Sequence, residues 1–168
     1  MLADKIKKIT ILVAHPDDET LWAGGTILAY PNKNWNIFSL TRAGDDDRAS
    51  RFRQAISYYG ASGSMADMDD GKEQNPLNRV EVEDTVLGLI GREKCYDLII
   101  THDPKGEYTS HRRHEEVSSC VIELWLSNKI NSEGLWLFAY EDGGGKYGLR
   151  NARTSKRNPT GNLPESWG

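Results

Sequence analysis

Chemistry in this sequence is concentrated in two short stretches, His15-Pro16-Asp17-Asp18-Glu19 and His111-Arg112-Arg113-His114. Their donor types are those of a catalytic zinc, which takes three protein ligands from histidine and carboxylate and keeps a fourth position open for water. His15 and Asp18 would supply two ligands from one tight loop, and His114, on a helix, the third. Zinc lowers the pKa of its bound water toward ~7, so hydroxide would form near neutral pH. The proton then needs a carboxylate that is not a ligand. Asp17, pointing away from Asp18 in an extended segment, is the natural general base. His111 falls about one helical turn before His114 on the same face, close enough to stabilise an oxyanion on a carbonyl bound beside the metal.

These residues need elements to hold them. The first stretch lies directly behind Ile9-Thr10-Ile11-Leu12-Val13, an apolar run that reads as a buried parallel strand. Pro16 stops that strand, which puts His15, Asp17 and Asp18 on its carboxyl-end loop, where open α/β sheets place ligands. Further strands are predicted over 35–41, 64–68, 96–102 and 135–140, and helices over 19–30, 48–59, 79–94 and 111–128, the last capped by Ser110. Gly24-Gly25 inside the first helix implies a close approach of a neighbouring element. The alternation predicts βαβ crossovers, hence an α/β fold with a mainly parallel sheet of about five or six strands and helices on both faces. All four histidines, His102 included, then fall at the carboxyl ends of the first and fourth strands. They converge on one cleft if those strands are neighbours.

Composition narrows the function classes. At 168 residues the chain fits a single domain over 1–168, with 141–168 a loop-rich extension. Hydrophobic residues make up 38% and mean hydropathy is −0.63, without the run of ~20 apolar residues that a membrane span needs. The lysines near the start precede an apolar run too short for a secretory signal, so a cytoplasmic setting is expected. A net charge of −4 argues against nucleic-acid binding. Cys95 and Cys120 read as a helix end and a helix interior, buried or half-buried free thiols in a reducing compartment. Lys146, Arg150, Arg153, Lys156 and Arg157 read as a solvated loop or tail.

Ala14-His15-Pro16-Asp17-Asp18-Glu19 resembles the signature of the PIG-L / LmbE-like family of zinc-dependent N-acetylglucosaminyl deacetylases. Gly106-Glu107-Tyr108 with His111-Arg112-Arg113-His114 resembles that family's second motif. Looser similarity runs through Thr41-Arg42-Ala43-Gly44-Asp45, Gly60 and Asp70-Gly71. The resemblance implies a Rossmann-like fold and metal-dependent removal of an acetyl group from the 2-amino group of a glucosamine unit. It implies zinc on His15, Asp18 and His114, Asp17 as base and His111 at the oxyanion. It also implies a substrate-binding role for Arg48, and sugar-hydroxyl contacts for Asp70. Arg112 and Arg113 depart from the family's usual His-Pro-Asp-His, so any carboxylate supporting these histidines must come from elsewhere. Tyr108 stands three residues before His111 rather than two, and Arg51 replaces a usual glutamate.

Plainer readings stand beside these. Asp17 and Asp18 could serve only the N-terminus of a helix, Arg48 could be a surface residue, and Asp45-Asp46-Asp47 and Asp69-Asp70-Gly71 could be turns. His102 is read as structural or supporting. The sequence therefore predicts a zinc-dependent deacetylase of an N-acetylglucosamine-type amino sugar or conjugate. The alternatives are an amidase on another sugar conjugate and a catalytically inactive metal- or carbohydrate-binding module. Iron, cobalt or manganese would also suit the donor set. The expected partner is a small-molecule amino sugar, without nucleic acid or membrane span, and a homo-oligomer is compatible with the sequence.

Overall fold

The computed structural model describes residues 2, 4–91, 95–104 and 111–138, and the backbone of Arg153–Lys156. In chain order the elements are β1 (Lys8–Val13), α1 (Asp18–Ala29), β2 (Asn34–Thr41), α2 (Asp46–Tyr58), β3 (Ser62–Met68), α3 (Arg79–Ile90), β4 (Cys95–Tyr96), β5 (Leu98–Thr101), α4 (Arg112–Leu126), β6 (Asn131–Ser132), β7 (Gly134–Leu137) and β8 (Arg153–Lys156). The main sheet runs β3-β2-β1-β5-β7-β8. Its first five strands are parallel, and β8 pairs antiparallel with β7. Strand order reverses at β1, so the predicted first and fourth strands are indeed neighbours, in a Rossmann-like sheet.

The period-2 alternation of β1 explains why both faces are covered. Ile9, Ile11 and Val13 face a cluster built with Ala23 and Ile27 of α1 and Phe52 and Ile56 of α2. Leu12 and Ala14 face the other cluster, with Val82 and Val86 of α3 and Val117, Val121 and Leu124 of α4. Helices α1 and α4 thus lie on opposite faces of the sheet and meet only above its carboxyl edge. Gly24 lets α1 approach α2, since a Cβ there would lie 3.0 Å from the Tyr59 hydroxyl; at Gly25 nothing comes within 4 Å.

Several expectations are corrected. The strand predicted over 96–102 is two strands, because the chain changes partner at Asp97: β4 pairs with β6 in a small side sheet and β5 with β1. Helix α3 ends at Ile90, where Gly91 adopts φ 81, a left-handed conformation that suits glycine. The N-cap of α4 is His111 rather than Ser110. Cys95 is exposed on β4 rather than half-buried at a helix end. Cys120 is buried as expected, and burial with Glu83 and Glu123 nearby pushes its thiol up to about 12. The stretch read as a loop or tail contains β8. Tyr108 lies outside the described residues, as do most of residues 141–168.

Asp97 also starts β1, because its Oδ2 accepts from Lys7 N at 2.7 Å and Lys8 N at 2.8 Å. Those two bonds hold its carboxyl below the usual carboxylate range. Stability from a depressed carboxyl is present above the unfolded value of ~3.9 and lost as pH falls through the lower native value. Asp97→Asn is expected to cost about 1 kcal/mol near neutral pH, with a cost that vanishes in strong acid. Urea unfolding of both chains across pH measures it.

Candidate metal centre

The paired register of β1 and β5 ends at Ile11↔Ile100, and side chains then take over from the backbone. Thr101 Oγ1 donates to Leu12 O at 2.8 Å, and Ala14 N donates to His102 Nε2 at 2.9 Å. On the β2 side, Ala14 O accepts from Thr41 N at 3.2 Å, Thr41 Oγ1 at 2.8 Å and Ser39 Oγ at 3.2 Å. The residue before His15 is therefore fixed from both sides of the switch point. The chain then folds back on itself: Asp17 N and Asp18 N donate to His15 O, at 3.0 and 3.3 Å, while His15 N donates to Asp18 Oδ2 at 2.9 Å.

This turn aims His15 and Asp18 at each other, and α4 brings His114 in from the opposite face. His15 Nδ1 lies 3.2 Å from Asp18 Oδ2 and 3.2 Å from His114 Nε2, and His114 Nε2 lies 3.3 Å from Asp18 Oδ2. A tetrahedral ion with bonds of about 2.0–2.1 Å holds its ligand atoms about 3.3–3.4 Å apart. The three predicted ligands thus form a triangle of the size a zinc ion subtends. Burial alone would raise the Asp18 carboxyl, but its contacts with His102, His114 and His15 outweigh this and hold it well below the usual carboxylate range. Two groupings of metal-binding donors occur among the described residues, His15-His111-His114 and Asp18-His102-His114. His102, fully buried, directs its Nε2 lone pair at Ala14 N–H, so that nitrogen supports the loop rather than a metal.

The other predicted residues ring this triangle. The His111 ring centroid lies 4.8 Å from His15 and 4.6 Å from His114. Burial, with His114 and His15 nearby, pushes its pKa down, and its buried Nδ1 has no hydrogen-bond partner among the described residues. Asp17 makes no capping bond to α1; its exposed carboxylate accepts from Arg48 Nη1 at 2.9 Å. Both line an open cleft of about 600 Å³ between α1 and α2, together with Arg51 and Phe52. Asp45 is the cap of α2, accepting from Arg48 N. Asp70 contacts His15 rather than facing the cleft, with Oδ1 3.2 Å from His15 Nε2. Burial would raise its carboxyl, but Gln74, Arg42 and His15 outweigh that and lower it.

Three contributors carried no assigned role in the sequence reading. Arg42 and Gln74 hold Asp70. Arg113, fully buried, donates through Nε to Asp69 O at 2.7 Å, through Nη2 to Asn75 O at 2.9 Å and through Nη1 to Glu116 Oε2 at 2.6 Å. The signal for it was its place one turn before Val117, on the buried stripe of α4. Arg112 is exposed, and Arg51 pairs with Asp47 along α2. These three departures from the family motif therefore leave the donor triangle untouched.

The profile of the PIG-L family, described as GlcNAc-PI de-N-acetylase, matches residues 10–125, and the chain belongs to that family. An uncharacterised protein of Acanthamoeba polyphaga mimivirus is 23% identical over 155 residues, covering 83% of this chain and 63% of that protein. The fold is similar to that of N,N'-diacetylchitobiose deacetylase from Pyrococcus horikoshii, with a TM-score of 0.59 and 19% identity, covering 80% of this chain and 61% of that one. The chain thus spans about three-fifths of the length of both. Among the described residues no helix is long and apolar enough to cross a membrane.

Replacing His102 with leucine leaves Ala14 N–H buried without an acceptor. That is expected to cost about 1–3 kcal/mol, read as a lower urea midpoint, and to weaken zinc uptake because the His15 loop loses its anchor.

Proposed function

We propose that this chain is a zinc-dependent hydrolase that removes the acetyl group from an N-acetylglucosamine-type amino sugar or conjugate. The observation that carries the reading is the triangle of His15 Nδ1, Asp18 Oδ2 and His114 Nε2, with sides of 3.2, 3.2 and 3.3 Å. Those three atoms would hold the metal. When bound, zinc acidifies a water and polarises a carbonyl oxygen. Asp17 takes a proton from the attacking water and passes it to the amide nitrogen as acetate leaves. A histidine pushed toward neutrality still carries one N–H, and His111 offers it to the carbonyl oxygen as that oxygen gains charge. Arg48, paired with Asp17 at the cleft, positions the base and meets the polar groups of the sugar. Family membership and the fold shared with a chitobiose deacetylase support an acetylated sugar as substrate.

Retention of both Asp17 and His111 weighs against an inactive binding module, since holding a metal or a sugar needs neither. Acetate release from a panel of N-acetylglucosamine compounds, by metal-stripped protein with and without added zinc, tests the reading. Zinc-dependent release is expected. Asp17→Asn should bind zinc normally and lose about 10²–10⁴-fold in turnover, whereas His114→Ala should lose zinc and turnover together. Arg48→Ala should raise KM and lower kcat with zinc affinity unchanged. Tight zinc binding without release from any compound would favour the binding module or another amide.

A further inference from the structure

We propose that Asp70 is a positioning residue that holds the His15 ring with its proton on Nε2, committing the Nδ1 lone pair to the metal position. The inference rests on the metal reading above and deepens it. Asp70 Oδ1 faces His15 Nε2 at 3.2 Å and accepts from Gln74 Nε2 at 3.0 Å. Its Oδ2 accepts from Arg42 Nε at 2.8 Å and pairs with Arg42 Nη2 at 2.6 Å. An ionised carboxylate offers about four lone-pair sites, and these four donors fill them. The side chain is only 8% exposed. Asp70 therefore keeps no acceptor for a sugar hydroxyl, which is the role its place in the family motif implies.

The surroundings are built to keep it there. Arg42 adopts φ 68, in the left-handed region that costs a non-glycine residue about 1–2 kcal/mol, at the point where its guanidinium grips both the Asp70 carboxylate and Asp70 O. Arg113, the neighbour of His114, holds the adjoining Asp69 through backbone and side chain. The loop that delivers Asp70 to His15 is thus tied to the helix that delivers His114. The two ring nitrogens of a neutral histidine divide the roles of donor and acceptor. A carboxylate accepting at Nε2 keeps a proton there and leaves Nδ1 for the metal, which takes the place of a proton shared with Asp18 Oδ2; Nδ1 is the atom that meets Asp18 Oδ2 and His114 Nε2.

Asp70→Asn separates charge and tautomer from shape. Arg42 presents only donors, and the Gln74 amide can turn its Oε1, which has no partner among the described residues, toward a new donor, so the asparagine keeps its oxygen toward Arg42 and turns its NH₂ toward His15 and Gln74. Nε2 must then accept, and the ring proton moves to Nδ1, where it blocks the metal. Zinc affinity, measured by competition with a chelating dye, is expected to fall about 10–100-fold. In the zinc-loaded protein the ¹⁵N shift of His15 Nε2 should be that of an N–H bonded to a carboxylate, and Asp70→Asn should move it. Asp67→Asn is the control: Asp67 Oδ1 accepts from Gly44 N at 2.9 Å on a neighbouring loop, and zinc affinity should not change. Unaltered zinc affinity and ¹⁵N shifts in Asp70→Asn would overturn the proposal; a raised KM alone would return Asp70 to substrate contact. An unsubstituted chain that takes up no zinc would overturn the metal reading itself, and the proposal with it.

Discussion

The site depends on how one peptide group is held. At a topological switch point the strands on either side of β1 diverge, and the backbone of the residue past its end loses its ladder partner on the β5 side. Ala14 is that residue. His102 accepts its N–H from the β5 side, and Thr41 and Ser39 donate to its carbonyl from the β2 side. Because Ser118 Oγ donates in turn to His102 O, helix α4 is registered to the same point. An open crevice and a fixed backbone are both needed here, and side chains from the two flanking strands reconcile them.

From that anchor the site assembles across the sheet rather than along it. Asp18 opens α1 on one face, and His114 lies in the first turn of α4 on the other. Each helix packs through its own apolar stripe, so the distance between these donors is set by two hydrophobic cores and the sheet between them. Rigid elements of this kind hold donor atoms more closely than loops can. The carboxylates then divide by environment. Asp18 and Asp70 are largely buried among imidazoles and guanidinium, while Asp17 is exposed beside Arg48 at the mouth of the cleft.

Much of this was legible in the sequence because it follows from local pattern. The β-branched run before Pro16, the helical stripes and the strand-helix alternation give the sheet and its direction, and the His-Pro-Asp-Asp loop with His-x-x-His places donors at two strand ends. Adjacency of those ends followed from the doubly wound order. What stayed hidden depends on long-range partners. Asp97 interrupts a strand only because Lys7 and Lys8 lie 90 and 89 residues away in sequence to claim its carboxylate. Arg113 looked like a departure from a motif because Asp69 and Asn75, its acceptors, come from another element. Asp70 had the right type for sugar contact, and only its four donors show that its acceptor sites are spent.

The central claim is that His15, Asp18 and His114 form one metal site. X-ray absorption at the zinc edge of the loaded protein tests it most directly, since multiple scattering counts imidazole ligands. The account predicts two imidazoles, falling to one in His15→Ala, with oxygen completing a four-coordinate shell at about 2.0–2.2 Å. Three imidazoles would place the metal on His15, His111 and His114 instead and contradict the account, as would a shell with no imidazole at all.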